Sequence, residues 1–413
     1  MSSARGLVCR SCQHLWSERE FQLTCPICLR PLEVAYDLEE LKLLLGRGWP
    51  SPSAVSILHQ WREILPIDRP ELVDQVTLGE VQTPLVRSAR LGLRLGLSDL
   101  RFKIEIGLAS ASLKDRGTSL CALKALELGY DTLCVASSGN NASSIAAYAA
   151  KAGLRAAVFI QRDASPAKIR KILAYGATVV RVDGDMMMAS RLLAQLLQQH
   201  RWLNCGGPNP YRMTAKRLVA YEITAQMDGT LPDAVFFPCG GSAGMVAVFM
   251  GYCELLAMGM VPRIPRLVGV QLAACDPVTR AFEEGRTEVT PVVKRPSFSD
   301  ALMNNNPYWG MAALKAARDT GGVFLSVTDD EVAAMIRTLS SQEGLFVEPA
   351  GAAAVAGLAK LIATGRISGL DRVVCTLTGH GVNAPHAAFP TFTLPDLVEP
   401  SPAAVETYLA ASR

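Results

Sequence analysis

The chain has 413 residues, and at about 150 residues per domain this length predicts two or three domains. Its 41 Lys and Arg residues nearly match 38 Asp and Glu residues, and the net charge of +3 gives no electrostatic reason to expect binding to nucleic acid or to an acidic membrane. Because 49% of the residues are apolar and 19% are charged, the chain can bury a large core, which excludes global disorder.

The sequence carries no pattern typical of membrane insertion or export. It has no run of about 18 uncharged apolar residues, so we expect no transmembrane helix and no membrane partner. Residues 1–7 lack the apolar core of a secretion signal. We therefore expect a cytoplasmic location, where the 11 cysteines need an explanation other than disulfides.

Residues 1–35 contain two closely spaced cysteine pairs, Cys9-x-x-Cys12 and Cys25-x-x-Cys28. Each pair can close a tight turn around one metal ion, and the two pairs together supply four thiolates for a tetrahedral site. The spacing predicts a zinc-ribbon-like segment with a structural Zn²⁺, since no coordination position stays open for chemistry. A metal-free ribbon or a pair of disulfides is the alternative.

Residues 36–80 have the pattern of a helical connecting arm, with a helix over 36–45, a breaker cluster over 46–52 and a short helix near 57–65. From residue 81, apolar strand-like runs alternate with Ala-rich helices, which is typical of parallel sheets with crossover helices. We predict an α/β body over 81–395, in which a smaller subdomain at roughly 120–225 is inserted in a larger one, and a tail over 396–413. The predicted strands are 133–136, 156–160, 179–182, 234–237, 267–270 and 372–376.

One lysine stands at a predicted helix start, in the stretch Ser110 to Gly117. If Ser112 is the N-cap, Lys114 lies in the first turn, where the positive end of the helix dipole disfavours a cation. A lysine that is desolvated there has a lowered pKa, which is what a lysine needs in order to bond covalently to a carbonyl group. A solvated surface lysine is the alternative, and composition alone favours it.

Three predicted strands end in polar or glycine-rich loops, and ligands of open α/β sheets bind beyond the carboxyl ends of strands. The loop over 137–143 offers hydroxyls, amides and free N–H groups that suit a carboxylate, unless it is only a helix cap. The loop over 238–244 has three glycines that suit a phosphate, although it matches neither the nucleotide P-loop nor the dinucleotide fingerprint, and a tight turn is the alternative. The third loop, over 376–381, is a weaker signal.

Taken in order, these segments resemble the threonine synthase family of pyridoxal-phosphate (PLP) enzymes over roughly residues 80–390. Some members of that family also carry a cysteine-rich N-terminus. The resemblance implies two open parallel-sheet α/β domains of PLP fold type II, a catalytic body at 81–395, PLP as cofactor and a homodimer. It is carried by these motifs: Thr83-Pro84-Leu85, Ser112-Leu113-Lys114-Asp115-Arg116-Gly117, Ser137-Ser138-Gly139-Asn140, Asn209-Pro210-Tyr211-Arg212, Glu348-Pro349-Ala350 and Leu377-Thr378-Gly379-His380-Gly381.

The same resemblance implies roles for individual residues. Lys114 corresponds to the lysine that holds PLP covalently and then shuttles protons, and it is the catalytic candidate. The other candidate cofactor ligands are Asn140 at the phenolic oxygen, Thr378 near the pyridine nitrogen, and Gly240, Gly241, Ser242, Ala243 and Gly244 around the phosphate. The candidate substrate ligands are Ser110, Ser112, Ser137, Ser138 and Gly139 near the amino acid, and Asn209 and Arg212 at its phosphate.

Several stretches depart from the family pattern. Leu108 to Leu113 stands where Asn-Pro-Thr-Gly-Ser-Phe is usual, and the phosphate loop lacks the usual asparagines. Val382-Asn383-Ala384 replaces Leu-Lys-Asp, and Met213 to Lys216 replaces Glu-Gly-Gln-Lys. The cofactor machinery survives these changes, but the substrate does not follow from them.

Three hypotheses therefore stand. The leading one is a PLP-dependent lyase that eliminates phosphate from O-phosphohomoserine or a related phosphorylated amino acid and adds water, giving L-threonine. The second keeps PLP but performs β-elimination or β-replacement on serine, phosphoserine or a similar amino acid, as dehydratase-like or cysteate-synthase-like relatives do. In the third, the ribbon is a binding module and the α/β body is a catalytically inactive scaffold.

Overall fold

The structure is a computed structural model that describes residues 3–17, 21–53, 55–365, 372–395 and 397–411. Residues 1, 2 and 18–20 of the predicted ribbon segment lie outside the described residues, as do residues 396, 412 and 413 of the predicted tail. Among the described helices, none has both the length and the apolar character needed to cross a bilayer.

The described residues form thirteen strands, numbered in chain order. They are β1 (Ala4–Cys9), β2 (Leu15–Trp16), β3 (Leu32–Tyr36), β4 (Leu85–Arg87), β5 (Asp99–Ile104), β6 (Thr132–Ala136), β7 (Arg155–Ile160), β8 (Thr178–Arg181), β9 (Leu203–Asn204), β10 (Ala234–Pro238), β11 (Arg266–Leu272), β12 (Phe324–Val327) and β13 (Arg372–Leu377).

The α-helices of the described residues are numbered in the same way. They are α1 (Leu38–Gly46), α2 (Ile57–Gln60), α3 (Val73–Val76), α4 (Leu91–Arg94), α5 (Lys114–Glu127), α6 (Asn140–Ala152), α7 (Pro166–Ala174), α8 (Met186–Leu196), α9 (Pro210–Gln226), α10 (Ala243–Ala257), α11 (Pro277–Glu283), α12 (Gly310–Asp319), α13 (Asp329–Thr338), α14 (Pro349–Thr364), α15 (Pro385–Ala388) and α16 (Pro402–Ala411).

These strands build three sheets in the described part of the chain. An antiparallel N-terminal sheet has the order β2-β1-β3. The largest sheet has the order β12-β11-β10-β13-β5-β4 and is parallel except for β4. A fully parallel sheet has the order β8-β7-β6-β9. The expected α/β fold with parallel sheets is therefore confirmed.

Both parallel sheets are covered on both faces. Along β10, Val235 and Phe237 join one core cluster while Ala234 and Phe236 join another, because successive side chains of a strand point to opposite faces. This double burial gives the strand a continuous apolar run rather than an alternating one. All six predicted strands exist, and their bounds differ from the predicted ones by no more than two residues.

Three local predictions need correction. The first arm helix begins at Leu38 rather than at residue 36, because residues up to Tyr36 pair in β3 and the Asp37 side chain caps the helix. The second predicted arm helix, over 57–65, covers only Ile57–Gln60. Ser112 is not the N-cap of α5: that position is held by Leu113, although Lys114 does lie in the first turn as predicted.

Helix α9 is the buried centre of the molecule, and it packs against α5, α10 and β3. Two glycines allow this close packing. A Cβ at Gly117 on α5 would lie 3.1 Å from the Cα and carbonyl oxygen of Arg212, and a Cβ at Gly251 on α10 would lie 2.6 Å from the carbonyl oxygen of Arg217. The contact at Gly117 brings the start of α5, which carries Lys114, next to the start of α9.

Candidate functional site

The loop before Lys114 is held by a buried carboxylate. Asp115 accepts hydrogen bonds from the backbone N–H of Ser110 at 2.6 Å, from the Ser110 hydroxyl at 2.5 Å and from the Ser144 hydroxyl at 2.7 Å. Between Ser110 and Ser112, Ala111 has a φ of 63°, a left-handed conformation that favours glycine. An alanine therefore holds a conformation that glycine adopts more readily, at the position where the family pattern has glycine.

The loop after β13 lies directly against the lysine loop. Leu113 N–H donates to the Thr378 carbonyl oxygen at 3.0 Å, and His380 N–H donates to the Ala111 carbonyl oxygen at 3.0 Å. The Asn383 side chain also donates to that Ala111 oxygen, at 2.8 Å. The Thr378 hydroxyl has no hydrogen-bond partner among the described residues, and only 7% of the residue is exposed. The 376–381 loop and the lysine loop are therefore hydrogen-bonded neighbours.

The polar loop after β6 joins the same cleft through Glu348. The Asn140 side-chain amide donates to Oε1 of Glu348 at 2.8 Å, and the backbone N–H of Glu348 donates to the Gly379 carbonyl oxygen at 3.0 Å. A Cβ on Gly379 would come within 2.2 Å of that Oε1, so a larger residue there would displace the Glu348 carboxylate. Burial raises the pKa of Glu348, against the effect of the Asn140 hydrogen bond. Ser137, Ser138 and Gly139 are partly exposed beside this pair.

The glycine-rich loop after β10 fits a phosphate. A Cβ on Gly240 would lie 2.8 Å from the Ala301 carbonyl oxygen, and one on Gly244 would lie 2.3 Å from the Phe237 ring, so both positions need glycine. Ser242 has a φ of 64° and its buried hydroxyl has no partner among the described residues. This left-handed turn precedes α10, whose first N–H groups have no intrahelical acceptor. Turned amides, a spare hydroxyl and the positive end of a helix together suit an anion.

The start of α9 brings two buried cations towards Lys114. Asn209 caps the helix by accepting from the Arg212 N–H at 3.1 Å, and its amide donates to the Asn204 carbonyl oxygen at 2.8 Å. The Arg212 guanidinium donates to Asn141 Oδ1 at 2.7 Å, while its Nε has no partner among the described residues. Lys216, one turn further along, is 3% exposed. Asn209 therefore caps α9. Its predicted contact with the substrate remains a prediction.

The pKa values of these cations follow from their burial and mutual repulsion. Burial and then the charge of Arg212 lower the pKa of Lys114, while the charge of Glu348 opposes this change. Burial, followed by the charges of Arg212 and Lys114, lowers the pKa of Lys216 well below its usual value. The pKa of Lys114 is therefore shifted in the direction that the prediction of a covalently reactive lysine requires.

The four N-terminal cysteines converge, as their spacing predicts. Their Sγ atoms all lie within 4.8 Å of one another, and the nearest contacts are 3.4 Å between Cys9 and Cys28 and 3.6 Å between Cys12 and Cys25. All four thiols are free, so the alternative of disulfides is not observed. Four sulfurs around one zinc at about 2.3 Å would be slightly less than 4 Å apart, so the cluster fits one ion with little movement.

Several residues of the cleft escaped the sequence analysis. Asp115 and Glu348 were quoted only as parts of motifs, although each organises one loop of the cleft through hydrogen bonds. Lys216 was quoted only within a departing stretch. Its position four residues after Arg212 was the available signal, since residues i and i+4 share one helix face.

Comparison with solved structures defines the class of the fold. A threonine deaminase from T.th. superposes with a TM-score of 0.60 at 25% identity, over 72% of this chain and 92% of that chain. Diaminopropionate ammonia lyase from Escherichia coli superposes with a TM-score of 0.64 at 18% identity, over 77% of this chain and 90% of that chain. The chain therefore has the α/β fold of PLP fold type II enzymes.

Comparison of sequences identifies the family. The family described as pyridoxal-phosphate dependent enzyme matches residues 76–379. A threonine synthase of Methanosarcina acetivorans is 32% identical over 394 residues, which cover 95% of this chain and 96% of that protein. A threonine synthase of Synechocystis sp. is 35% identical over 350 residues, with coverages of 82% and 88%. The chain belongs to the pyridoxal-phosphate-dependent enzyme family and is homologous to threonine synthases, so the expectation of a PLP-dependent enzyme is confirmed.

Proposed function

We propose that this chain is a carbon–oxygen lyase that converts O-phosphohomoserine, or a closely related phosphorylated amino acid, and water into L-threonine and phosphate. The observation that carries the proposal is the pair of buried cations, Arg212 and Lys216, which have no carboxylate partner among the described residues and adjoin the predicted catalytic Lys114. A phosphorylated substrate supplies the missing negative charge. The 32% and 35% identical threonine synthases support the same reaction.

We assign the cofactor ligands as the sequence predicts. Lys114 holds PLP, Asn140 contacts the phenolic oxygen, Thr378 meets the pyridine nitrogen, and the loop Gly240–Gly244 holds the phosphate. The Ser242 hydroxyl supports this assignment, because it is a buried polar group that still needs a hydrogen bond. Thr378 is 7% exposed, and no described residue bonds to its hydroxyl. When bound, PLP supplies an electron sink for charge that develops at the substrate's α-carbon.

The chain's own residues bind the amino acid and move its protons. The loop Ser137–Gly139, with Ser110 and Ser112 nearby, receives the carboxylate at the start of α6. The lowered pKa of Lys114 keeps its amine available to take a proton from the α-carbon. A neutral hydroxyl at Thr378 cannot protonate the pyridine nitrogen. The ring is then a weaker electron sink, which suits elimination better than transamination. Glu348 positions Asn140 through their hydrogen bond.

A second candidate keeps the cofactor and changes the reaction to β-elimination or β-replacement on serine, phosphoserine or a similar amino acid. The departure of Leu108 to Leu113 from the family pattern supports this candidate. The 25% identical threonine deaminase has the same fold. Product analysis separates the candidates, because this reaction removes the group on the β-carbon rather than the γ-carbon.

The N-terminal cysteine cluster is proposed to hold one structural Zn²⁺, and the convergence of four free thiols supports this. Metal analysis of the purified protein tests it: we expect one zinc per chain, and none in Cys25→Ala. Zinc retained in full by that variant would contradict the assignment. The homodimer and the cytoplasmic location stay predictions from the resemblance and the composition.

The reaction is tested with purified protein loaded with PLP. We expect a visible absorption band from the cofactor, and with O-phosphohomoserine the release of phosphate together with threonine. A band without turnover of O-phosphohomoserine, but with turnover of phosphoserine or serine, would favour the second candidate. Failure of the protein to bind PLP at all would contradict both.

A further inference from the structure

Most of the buried Lys and Arg side chains among the described residues are paired with a carboxylate, and two are not. Among the described residues, seven Lys or Arg side chains are buried, and five of them have a carboxylate partner at 2.5 to 2.8 Å. The five partnered residues are Lys103, Lys124, Lys168, Arg116 and Arg217. The exceptions are Arg212 and Lys216, four residues apart on one face of α9.

Of the two cations, Lys216 has fewer hydrogen-bond partners. Arg212 at least donates to Asn141, whereas no described residue accepts a hydrogen bond from the Lys216 amine. Only 3% of the Lys216 residue is exposed, and a cationic amine in so desolvated a place is costly without a counter-charge. Such an arrangement is expected where a ligand, absent from the free chain, brings the counter-charge.

We propose that Lys216 is a second cationic ligand of the substrate's phosphate, beside Arg212, and that it sets the preference for a phosphorylated over an unphosphorylated amino acid. The inference rests on the proposed function. A phosphate dianion matches two cations in charge, and an analogue without the phosphate would leave both of them buried and unpaired. Sites that leave their polar groups unpaired reject such analogues strongly.

The position of Lys216 favours the substrate's phosphate over that of the cofactor. Arg212, on the same helix face, bonds to Asn141 beside Asn140, at the start of α6, where the amino-acid end of the substrate is predicted to bind. The predicted cofactor phosphate site is built separately, from the turn Gly240–Gly244 at the start of α10. That turn supplies its own amides and the free Ser242 hydroxyl. The two phosphates would therefore bind to different helix starts.

The direct test is calorimetric titration of inorganic phosphate into the PLP-loaded enzyme. We expect Lys216→Met to weaken phosphate binding by about 10- to 100-fold, the usual worth of a hydrogen bond to a charged group. Lys216→Arg should recover part of this loss because it restores the charge. Lys315→Met is the matched control, since that lysine is exposed on α12, and it should bind phosphate as the unaltered chain does. Equal binding by Lys216→Met and the unaltered chain would overturn the proposal.

A second titration separates the two possible phosphates. The apo forms of the unaltered chain and of Lys216→Met are titrated with PLP and with pyridoxal, which lacks the phosphate. If Lys216 serves the substrate, both ligands bind the variant as they bind the unaltered chain. A loss confined to PLP would assign Lys216 to the cofactor and overturn the inference.

Steady-state kinetics supplies a readout that a merely structural role would not give. We expect Lys216→Met to raise KM for O-phosphohomoserine by a similar factor, with turnover of unphosphorylated serine, where measurable, unchanged or improved. Equal losses on both substrates would overturn the proposal. Failure of the unaltered enzyme to form threonine would refute the proposed reaction alone, because the phosphate titration still reports on Lys216.

Discussion

Two clusters of buried charge lie on α5 and α9, and they are built in opposite ways. In the first, Arg116 bonds to Glu105 at 2.6 Å and to Glu222 at 2.6 Å, and Lys103 bonds to Glu222 at 2.6 Å, so two cations meet two carboxylates. Thr83 completes it by donating to Glu105 at 2.8 Å. In the second, Lys114, Arg212 and Lys216 have no carboxylate hydrogen-bonded to them among the described residues.

The difference distinguishes charges that are neutralised within the fold from charges that are available to a ligand. In the matched cluster, the charges of Arg116 and Lys103 hold the pKa of Glu222 below its usual value despite burial, while burial lowers the pKa of Lys103 against the charge of Glu222. In the unmatched cluster, burial and repulsion lower the pKa of Lys114 and of Lys216. Perturbed buried charges cluster at functional sites, and the absence of a carboxylate partner among the described residues distinguishes this cluster from a structural ion-pair network. The motif residues Thr83 and Arg116 therefore belong to the matched cluster, while Lys114, the proposed catalytic lysine, belongs to the unmatched one.

The largest expected effect is the loss of chemistry in the unmatched cluster. Lys114→Ala should abolish the cofactor's absorption band and reduce turnover by about a thousandfold or more, because it removes the group that we propose holds PLP and moves the proton. Absorption spectra and initial rates measure both effects. Lys315→Ala, on the exposed face of α12, should change neither. Turnover retained by Lys114→Ala would place the catalytic amine elsewhere.

Substitutions at two positions on α9 should have opposite effects on the free energy of unfolding. Glu222→Gln should destabilise the fold by about 3–5 kcal/mol, because it leaves the buried Arg116 and Lys103 short of a counter-charge. Lys216→Met should leave the free energy of unfolding unchanged or increase it, since it removes an unpaired buried charge. Urea unfolding of the apo proteins measures both. A large loss of stability in Lys216→Met would mean that the lysine has a partner in the fold.

Glu80 is a buried carboxyl group that tests whether neutral hydrogen-bond donors can stabilise a carboxylate in place of a cation. Glu80 accepts hydrogen bonds from Tyr148 at 2.8 Å and from the Leu78 N–H at 2.9 Å, and burial raises its pKa from 4.5 to about 6. The folded state binds the proton more tightly, so this contribution to stability is complete below pH 4.5 and is lost as the pH rises through about 6. The loss should be about 2 kcal/mol.

Unfolding free energies measured from pH 4.5 to 7 test the Glu80 prediction. In Glu80→Gln, the part of the slope that belongs to this carboxyl should disappear. A slope that is the same in the variant and in the unaltered chain would show that Glu80 is ionised throughout.

The smallest expected effect concerns the backbone beside Lys114. Ala111 has a φ of 63°, where the family pattern has glycine, so Ala111→Gly should relieve strain. The greater freedom of glycine in the unfolded chain offsets part of the gain, and we expect stabilisation of about 0.5 kcal/mol. Thermal unfolding measures it. Marked destabilisation would show that the methyl group makes contacts that matter more than the strain.

The sequence allowed more of the sheets to be predicted than of the charge clusters. Strands such as β10 and β11 are buried on both faces, so they appear as continuous apolar runs. Strand β5 was missed because its Arg101 and Lys103 look like solvent-facing residues, although Lys103 is fully buried in an ion pair. The burial of Lys216 was equally hidden, since it depends on close helix packing at Gly117 and Gly251, which no local pattern reports.

The candidate site was predictable where family motifs carry it and not where tertiary contacts build it. The serine-rich loop and the glycine turn were predicted from the residues themselves, whereas the role of Lys114 came from the family motif, because composition alone favoured a surface lysine. The bond between Asn140 and Glu348 joins residues 208 positions apart, and the link between Arg212 and Asn141 joins residues 71 positions apart. Spacing along the chain carries no information about such pairs.

The central claim is that the unmatched cations receive the phosphate of an amino-acid substrate. The most direct measurement follows phosphate and threonine together after O-phosphohomoserine is added to the PLP-loaded enzyme. The account predicts one phosphate released for each threonine formed, at a rate that falls when inorganic phosphate is added as a competitor. An enzyme with an intact cofactor band that releases no phosphate from O-phosphohomoserine or from phosphoserine would contradict it.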